Sequence, residues 1–208
     1  MLKPSRPELA VYLDGRFSGS AWWMRITIVS KNGGIIGVSD HGGWAVLVTV
    51  APDGTLLDRR RVELVDEGLP KLPHHHDAQG LPLDEAVALI ERVRVSAERH
   101  ARLALDAVAT AVPRILGVAL RSRPQLPAAI AERLTDYRAQ NVADWVMYRT
   151  ALASAAEARG WPVHWYDAKK VWDDAHFLNV RQAVGPPWNK DHKLAMAAAI
   201  VAAKAFAG

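Results

Sequence analysis

The sequence predicts an α/β domain: a mixed five-stranded sheet of order 3-2-1-4-5 flanked by helices, with an extra hairpin before it. Three observations carry this expectation. Three β-rich runs follow one another between Ile35 and Val65, separated by Gly42-Gly43 and by the Pro52-Asp53-Gly54 turn. A long helical period, Leu83 to Val108, comes next, and short apolar runs then alternate with helical ones to the end of the chain. A meander sets its third strand parallel to its first, and right-handed crossovers make the fourth and fifth strands parallel to the first as well.

In order along the chain, residues 1–33 are expected to be an N-terminal extension or hairpin, with strands at Ala10 to Leu13 and Trp22 to Val29. Met24 offers an alternative start. Residues 34–208 are expected to form the main domain. Its first strand, Ile35 to Ser39, delivers a single carboxylate, Asp40, to its carboxyl end before glycines break it. Trp44 to Val50 and Leu56 to Val65 complete the meander, the latter with Arg59 and Arg61 alternating against Val62 and Leu64, a pattern that suits a protected sheet edge. The Pro- and Gly-rich segment Asp66 to Pro82 reads as a loop and carries His74, His75, His76 and Asp77. Pro113 ends the long helix, and Arg114 to Leu120 is compact and apolar enough for a buried parallel strand. A short helix is expected around Ala128 to Leu134, and another opening near Asp144 and ending at Gly160. Val163 to Tyr166 is the fifth strand. Asp167 to Gly185 reads as irregular or partly helical, and an alanine-rich last helix begins near Asn189 after two prolines.

At 208 residues, half of them hydrophobic, the chain can bury a sizeable core. The formal charge of +4 is compatible with a polyanionic partner. The absence of cysteine excludes disulfides, a thiol nucleophile and Cys-ligated zinc, and fits a reducing cytoplasm. No apolar stretch is long enough for a membrane span, and no signal pattern opens the chain, so a cytoplasmic protein is expected. Walker-type phosphate loops, dinucleotide fingerprints and Gly-x-Ser-x-Gly nucleophile motifs are absent.

By the predicted topology, one rim of the sheet collects the carboxyl ends of four strands. Asp40 lies there beside the switch point between the first and fourth strands, where open α/β sheets bind ligands. The same rim receives the histidine loop, Asp84 and Glu85 at the start of the long helix, and Asp144. Arg121, Arg123, Lys169, Lys170 and the mouth of the last helix, with Lys190, Asp191, His192 and Lys193, also arrive there. This element order, with GVSDHGGWAVLV at its beginning and NKDHKLAMAAAI at its end, resembles the ribonuclease H-like superfamily, nearest to the branch containing bacterial Holliday-junction resolvases. The resemblance covers about Gly34 to Phe206. It implies divalent-metal-dependent hydrolysis of nucleic acid, with Asp40 as the first-strand aspartate and Asp191 or His192 as the last-helix ligand. Those nucleases also carry a carboxylate near the end of the fourth strand, where this sequence has Leu120 and Arg121.

Two divalent ions about 3.5 to 4 Å apart need several anionic ligands. Asp40 and Asp191 would bind metal, with His192 as ligand or general base. Asp144, Asp84, Glu85, His74 or His75 could complete the set, the alternative role for the three acids being helix capping. Mg or Mn suits carboxylates alone, and Zn or Fe suits a mixed site that includes the histidine loop. In an extended loop His74 and His76 would face one way and His75 the other. Arg121, Arg123, Lys190 and Lys193 would contact phosphates. Three readings follow: a metal-dependent nuclease, a catalytically degenerate binding or interaction module of the same fold, and a small-molecule hydrolase using the His74 to Asp77 loop.

Overall fold

The computed structural model describes residues 10–12, 27–29, 33–174, 185 and 187–207. Near the N-terminus, β1 (Ala10–Tyr12) and β2 (Thr27–Val29) pair antiparallel as a small sheet of their own. Leu13 and Trp22 to Ile26, the remainder of the expected hairpin strands, are outside the described residues. The main sheet contains β3 (Gly34–His41), β4 (Trp44–Val50), β5 (Leu56–Glu63), β6 (Ile115–Arg121) and β7 (Val163–Tyr166). Its order is β5-β4-β3-β6-β7, with β4 antiparallel to both neighbours and β6 and β7 parallel to β3. Counting β3 as the first strand, this is the 3-2-1-4-5 order expected from the sequence.

The helices are α1 (Leu83–Ala111), α2 (Ile130–Thr135), α3 (Tyr137–Glu157), α4 (Ala168–Asp174) and α5 (Lys190–Ala207). Among the described residues, none of them is long and apolar enough to cross a membrane. The sheet separates two cores. Ile36, Val38, Ala45, Leu47, Val118 and Leu120 pack under α1 and α3, while Ile35, Val46, Val48 and Ala119 pack under α5. Neighbouring residues along each strand thus serve opposite cores, as the two-residue period of a strand requires. Alanine dominates α5 because that helix lies close to the sheet. At Gly37 its backbone leaves no room for a side chain: a Cβ there would sit 1.8 Å from the Ala195 carbonyl oxygen.

Two local expectations change. The helix expected to open near Asp144 begins at Tyr137, where the Asp136 carboxylate accepts hydrogen bonds from the backbone N–H groups of Arg138 (2.8 Å) and Ala139 (3.3 Å). Asp144 is therefore an interior position of α3, and it is fully buried. The first turn of α3 exposes Tyr137 and Arg138 and buries only Ala139, so it lacks the apolar period that marks a helix in sequence. The histidine run is not extended either. Pro73–Asp77 forms one π-type turn, closed by Ala78 N–H donating to the Pro73 carbonyl at 2.9 Å.

The close approach at Gly37 predicts that Gly37→Ala lowers stability by about 3 kcal/mol, because backbone must move to relieve the overlap. Gly117→Ala, whose Cβ would meet chiefly the far end of the Phe206 ring at 2.3 Å, is expected to cost less than half as much. Urea unfolding of the two variants measures the difference.

Candidate functional site at the carboxyl rim of the sheet

The end of β3 places three polar side chains in succession, and the strand period sends them apart. Ser39 and His41 follow Ile35 and Gly37 onto the α5 face. There Ser39 Oγ donates to Asp191 Oδ1 at 3.2 Å, and His41 Nε2 donates to the same oxygen at 2.8 Å. Asp40 follows Ile36 and Val38 onto the opposite face, where its buried Oδ2 accepts from Arg149 Nε of α3 at 2.7 Å. Arg149 Nη1 also donates to the Ser122 carbonyl at 3.2 Å. The expectation that Asp40 and Asp191 share an ion is therefore corrected: they reach the same rim on opposite sides of one strand. The β3 residues that share a face with Asp191 are Ser39 and His41.

The other rim positions add positive charge. At the end of β6, Leu120 enters the core under α3, and Arg121 follows Ala119 onto the other face, with its Nε buried and without a hydrogen-bond partner among the described residues. Asp40 Oδ1 is likewise buried and unpartnered. Between these groups the Tyr166 hydroxyl donates to the Val38 carbonyl at 2.6 Å. Burial, reinforced by the Asp40 charge, pushes its pKa up to about 12, with Arg121 and Arg149 opposing.

The histidine loop reaches the rim but serves α3. Leu72 and Lys71 cover Gly42 and Gly43 at the β3–β4 turn, and Tyr148 Oη donates to the Lys71 carbonyl at 2.9 Å. Beyond them, Asp144 accepts from His74 N–H (3.0 Å), His74 Nδ1 (2.8 Å) and His75 N–H (3.1 Å), so its carboxylate pins the π turn onto the helix. The His74 ring is wholly buried, and its Nε2 has no partner among the described residues. His75 is half-buried near Trp145, and His76 is exposed. His74, His75 and Asp144 thus come together with one another and not with Asp40 or Asp191. Asp84 and Glu85 are exposed at the opening of α1.

His192 is buried at the start of α5. Asn189 Oδ1 accepts from Asp191 N–H (3.0 Å), His192 N–H (3.2 Å) and His192 Nδ1 (2.7 Å), which caps the helix and orients the ring. Burial, followed by the charge of Arg59, holds the His192 pKa below the ordinary histidine value, and Asp191 opposes this. Of the expected phosphate-contacting residues, Lys190 is exposed, and Lys193 and Arg121 are half-buried. Arg123 donates to Thr150 Oγ1 at 2.5 Å and lies 4.7 Å over the Trp165 ring.

A metal pair does not fit this donor set. Among the described residues, no three His, Cys, Asp or Glu side chains converge as metal ligands. Asp40 is neutralised by a guanidinium, Ser39 stands where the α5 face would need an acid, and Arg121 places a cation at the end of β6. A divalent ion needs anionic oxygen there and would be repelled by that arginine.

No family model and no curated protein matches the sequence. Solved structures do. The chain is similar in fold to RuvC. Thermus thermophilus RuvC in complex with Holliday junction substrate is 15% identical, with a TM-score of 0.48, the match covering 84% of this chain and 93% of that one. A second Thermus thermophilus RuvC structure is 16% identical with a TM-score of 0.47, over 84% and 96% of the two chains.

Sequence reasoning missed Ser39, Arg149 and Tyr166. The signal for Ser39 was available: a glycine two residues earlier marks the face that an alanine-rich helix must approach. Arg149, which lies 109 positions from Asp40 in the chain, carries no local signal.

If Asp40 is the partner of Arg149, Asp40→Asn strands a buried guanidinium, and stability is expected to fall by about 3 to 5 kcal/mol with or without added Mg²⁺. If the carboxylate belonged to a metal set, its neutralisation would relieve repulsion in the metal-free protein and raise the melting temperature. Calorimetry of the two proteins in EDTA separates these outcomes.

Proposed function

We propose that the protein is a nucleic-acid-binding module of ribonuclease H-like fold that engages its ligand without a metal pair. The observation that carries this reading is the reversal of charge at the rim. Arg149 sits on Asp40, and Arg121 occupies the end of β6, so the switch point holds two guanidinium groups against one buried carboxylate. With Arg149 buried on Asp40, the charge open to phosphate oxygens is that of half-buried Arg121 and of exposed Lys169, Lys170 and Lys190. Lys190 and Lys193 at the mouth of α5, together with Lys169 and Lys170 in the first turn of α4, add positive charge at the same end of the sheet. Nucleic acid is favoured over other polyanions by the fold, which the chain shares with proteins that act on it.

A second reading, metal-dependent hydrolysis, draws support from Asp191. It is a partly exposed carboxylate at the mouth of α5, with His41 and Ser39 on it. The small-molecule hydrolase reading has less support, because the His74 ring is sealed against Asp144.

Binding of labelled single-stranded, duplex and four-way-junction DNA across a salt series tests the proposal. Affinity is expected to fall linearly on a log–log plot against salt, with a slope set by the number of phosphates contacted, and to be equal in EDTA and in Mg²⁺. No strand cleavage is expected with Mg²⁺ or Mn²⁺. Metal-dependent cleavage abolished by Asp191→Asn would establish the second reading instead.

A further inference from the structure

A cleft of about 310 Å³ opens on the α5 side of the rim, next to the Asp191–His41 contact, and among the described residues none that lines it is a carboxylate. It lies between β5 and the start of α5. Val46 and Val48 of β4 pack under α5, and Arg61 and Arg59 are their partners across the β4–β5 ladder, so both arginines project on the α5 face. Opposite them stand Asn189 and His192. Arg60 also borders the cleft but has the other parity, and its guanidinium forks onto Asp58 at 2.7 and 2.8 Å. Arg59 Nη1 donates to the carbonyls of Gly185 (2.9 Å) and Pro187 (3.0 Å), which ties the strand to the segment leading into α5.

We infer that this cleft is a phosphate-binding subsite that holds the backbone of a nucleic acid and does not read its bases. Guanidinium groups match phosphate oxygens in geometry as well as charge, and the volume is at the small end of ligand pockets, suited to a phosphate with part of its sugar. Trp44, the aromatic ring on the cleft wall, is not free to stack a base. His41 lies parallel to it at 4.0 Å and 6°, and the Arg61 guanidinium sits 4.4 Å from its centroid. Two groups that close to one centroid must take opposite faces. The ring therefore serves as a spacer that holds Arg61 in place, while Glu63, at 2.7 Å, aligns its outer edge. Arg59 and Arg61 on an outer strand would otherwise read as protection of a sheet edge. Their position facing the mouth of α5 gives them a ligand. The inference rests on the nucleic-acid reading for the molecule that carries the phosphate, and on the cleft alone for the phosphate itself.

Arg61→Gln and the double variant Arg59→Gln with Arg61→Gln test it, with Arg92→Gln, exposed on α1, as the control. Fluorescence anisotropy with a labelled mixed-sequence oligonucleotide is read across a salt series, and thermal shift is read with inorganic phosphate and with a nucleoside monophosphate. The double variant is expected to bind the oligonucleotide roughly tenfold more weakly, with a salt slope shallower by about one to two and equal losses for different base sequences. Arg61→Gln, at an exposed position, should show about half of the slope change with an unchanged melting temperature. Wild-type-like binding and slope in both variants would overturn the subsite. If the wild type retains no oligonucleotide but phosphate or the nucleotide raises its melting temperature and not that of the double variant, the subsite holds and the nucleic-acid reading fails. Failure of every ligand to bind the wild type overturns both.

Discussion

The rim of this protein is decided three residues before Asp40, where the backbone of α5 crosses the sheet against Gly37. Only glycine fits there: a methyl group would overlap the Ala195 carbonyl at 1.8 Å and crowd the Ala199 nitrogen at 2.8 Å. Once Gly37 is committed to the α5 face, the alternation of side chains along a strand leaves no freedom. Ser39 and His41 must meet Asp191, and Asp40 must turn beneath α3. Ala195, Ala198, Ala199 and Ala202 on α5, all buried, are the other half of the same constraint, since larger residues would lift the helix and release the register.

Burying Asp40 demands a partner, because an isolated carboxylate in that core would not remain ionised. Arg149 supplies one from α3, where it also reaches the Ser122 carbonyl at the end of β6. A single guanidinium therefore joins β3, β6 and α3. Asp144, between one and two turns earlier on the same helix, accepts three N–H groups from the His74 turn and fixes the loop that covers the β3–β4 hairpin. Both acids spend their charge on holding α3 and its surroundings in register. Such pairs add specificity more than stability, since desolvation offsets much of the attraction, but removing one member is costly. Asp40 Oδ1 and Arg121 Nε are both buried without a hydrogen-bond partner among the described residues.

Much of the architecture was legible in the sequence. The five strands, their order, the long helix and the alanine-rich last helix all follow from periodicity, glycine and proline positions and connection rules, since these are local signals that packing reinforces. The start of α3 was not, because its first residues, Tyr137 and Arg138, are exposed and its cap, Asp136, sits in a run of polar residues. The site was legible in place but not in detail. Asp40, the histidine loop and Asp191 do gather at one end of the sheet. Which face each side chain takes depends on a one-residue parity, and which charge meets which depends on contacts between residues as far apart as Asp40 and Arg149. The histidine run misled for a related reason: a π turn, not an extended strand, orders its side chains, and Asp144 rather than a metal satisfies the first of them.

The same parity accounts for the basic cleft. The β4–β5 ladder sets Arg59 and Arg61 opposite Val48 and Val46, and those valines lie under α5 because β4 is registered to β3, whose own face is set by Gly37. The contact that turns Asp40 away from Asp191 therefore also turns two arginines toward His192. Both arginines stand on a strand rather than a loop, one braced by Trp44 and Glu63 and the other by backbone carbonyls ahead of α5. Long cationic side chains lose considerable rotamer entropy on binding, and side chains already held by their neighbours lose less. A rim built in this way is suited to gripping a phosphate backbone. Among the described residues its carboxylates are dispersed: Asp40 is held by Arg149, Asp191 by Ser39 and His41, and Asp144 by the His74 turn.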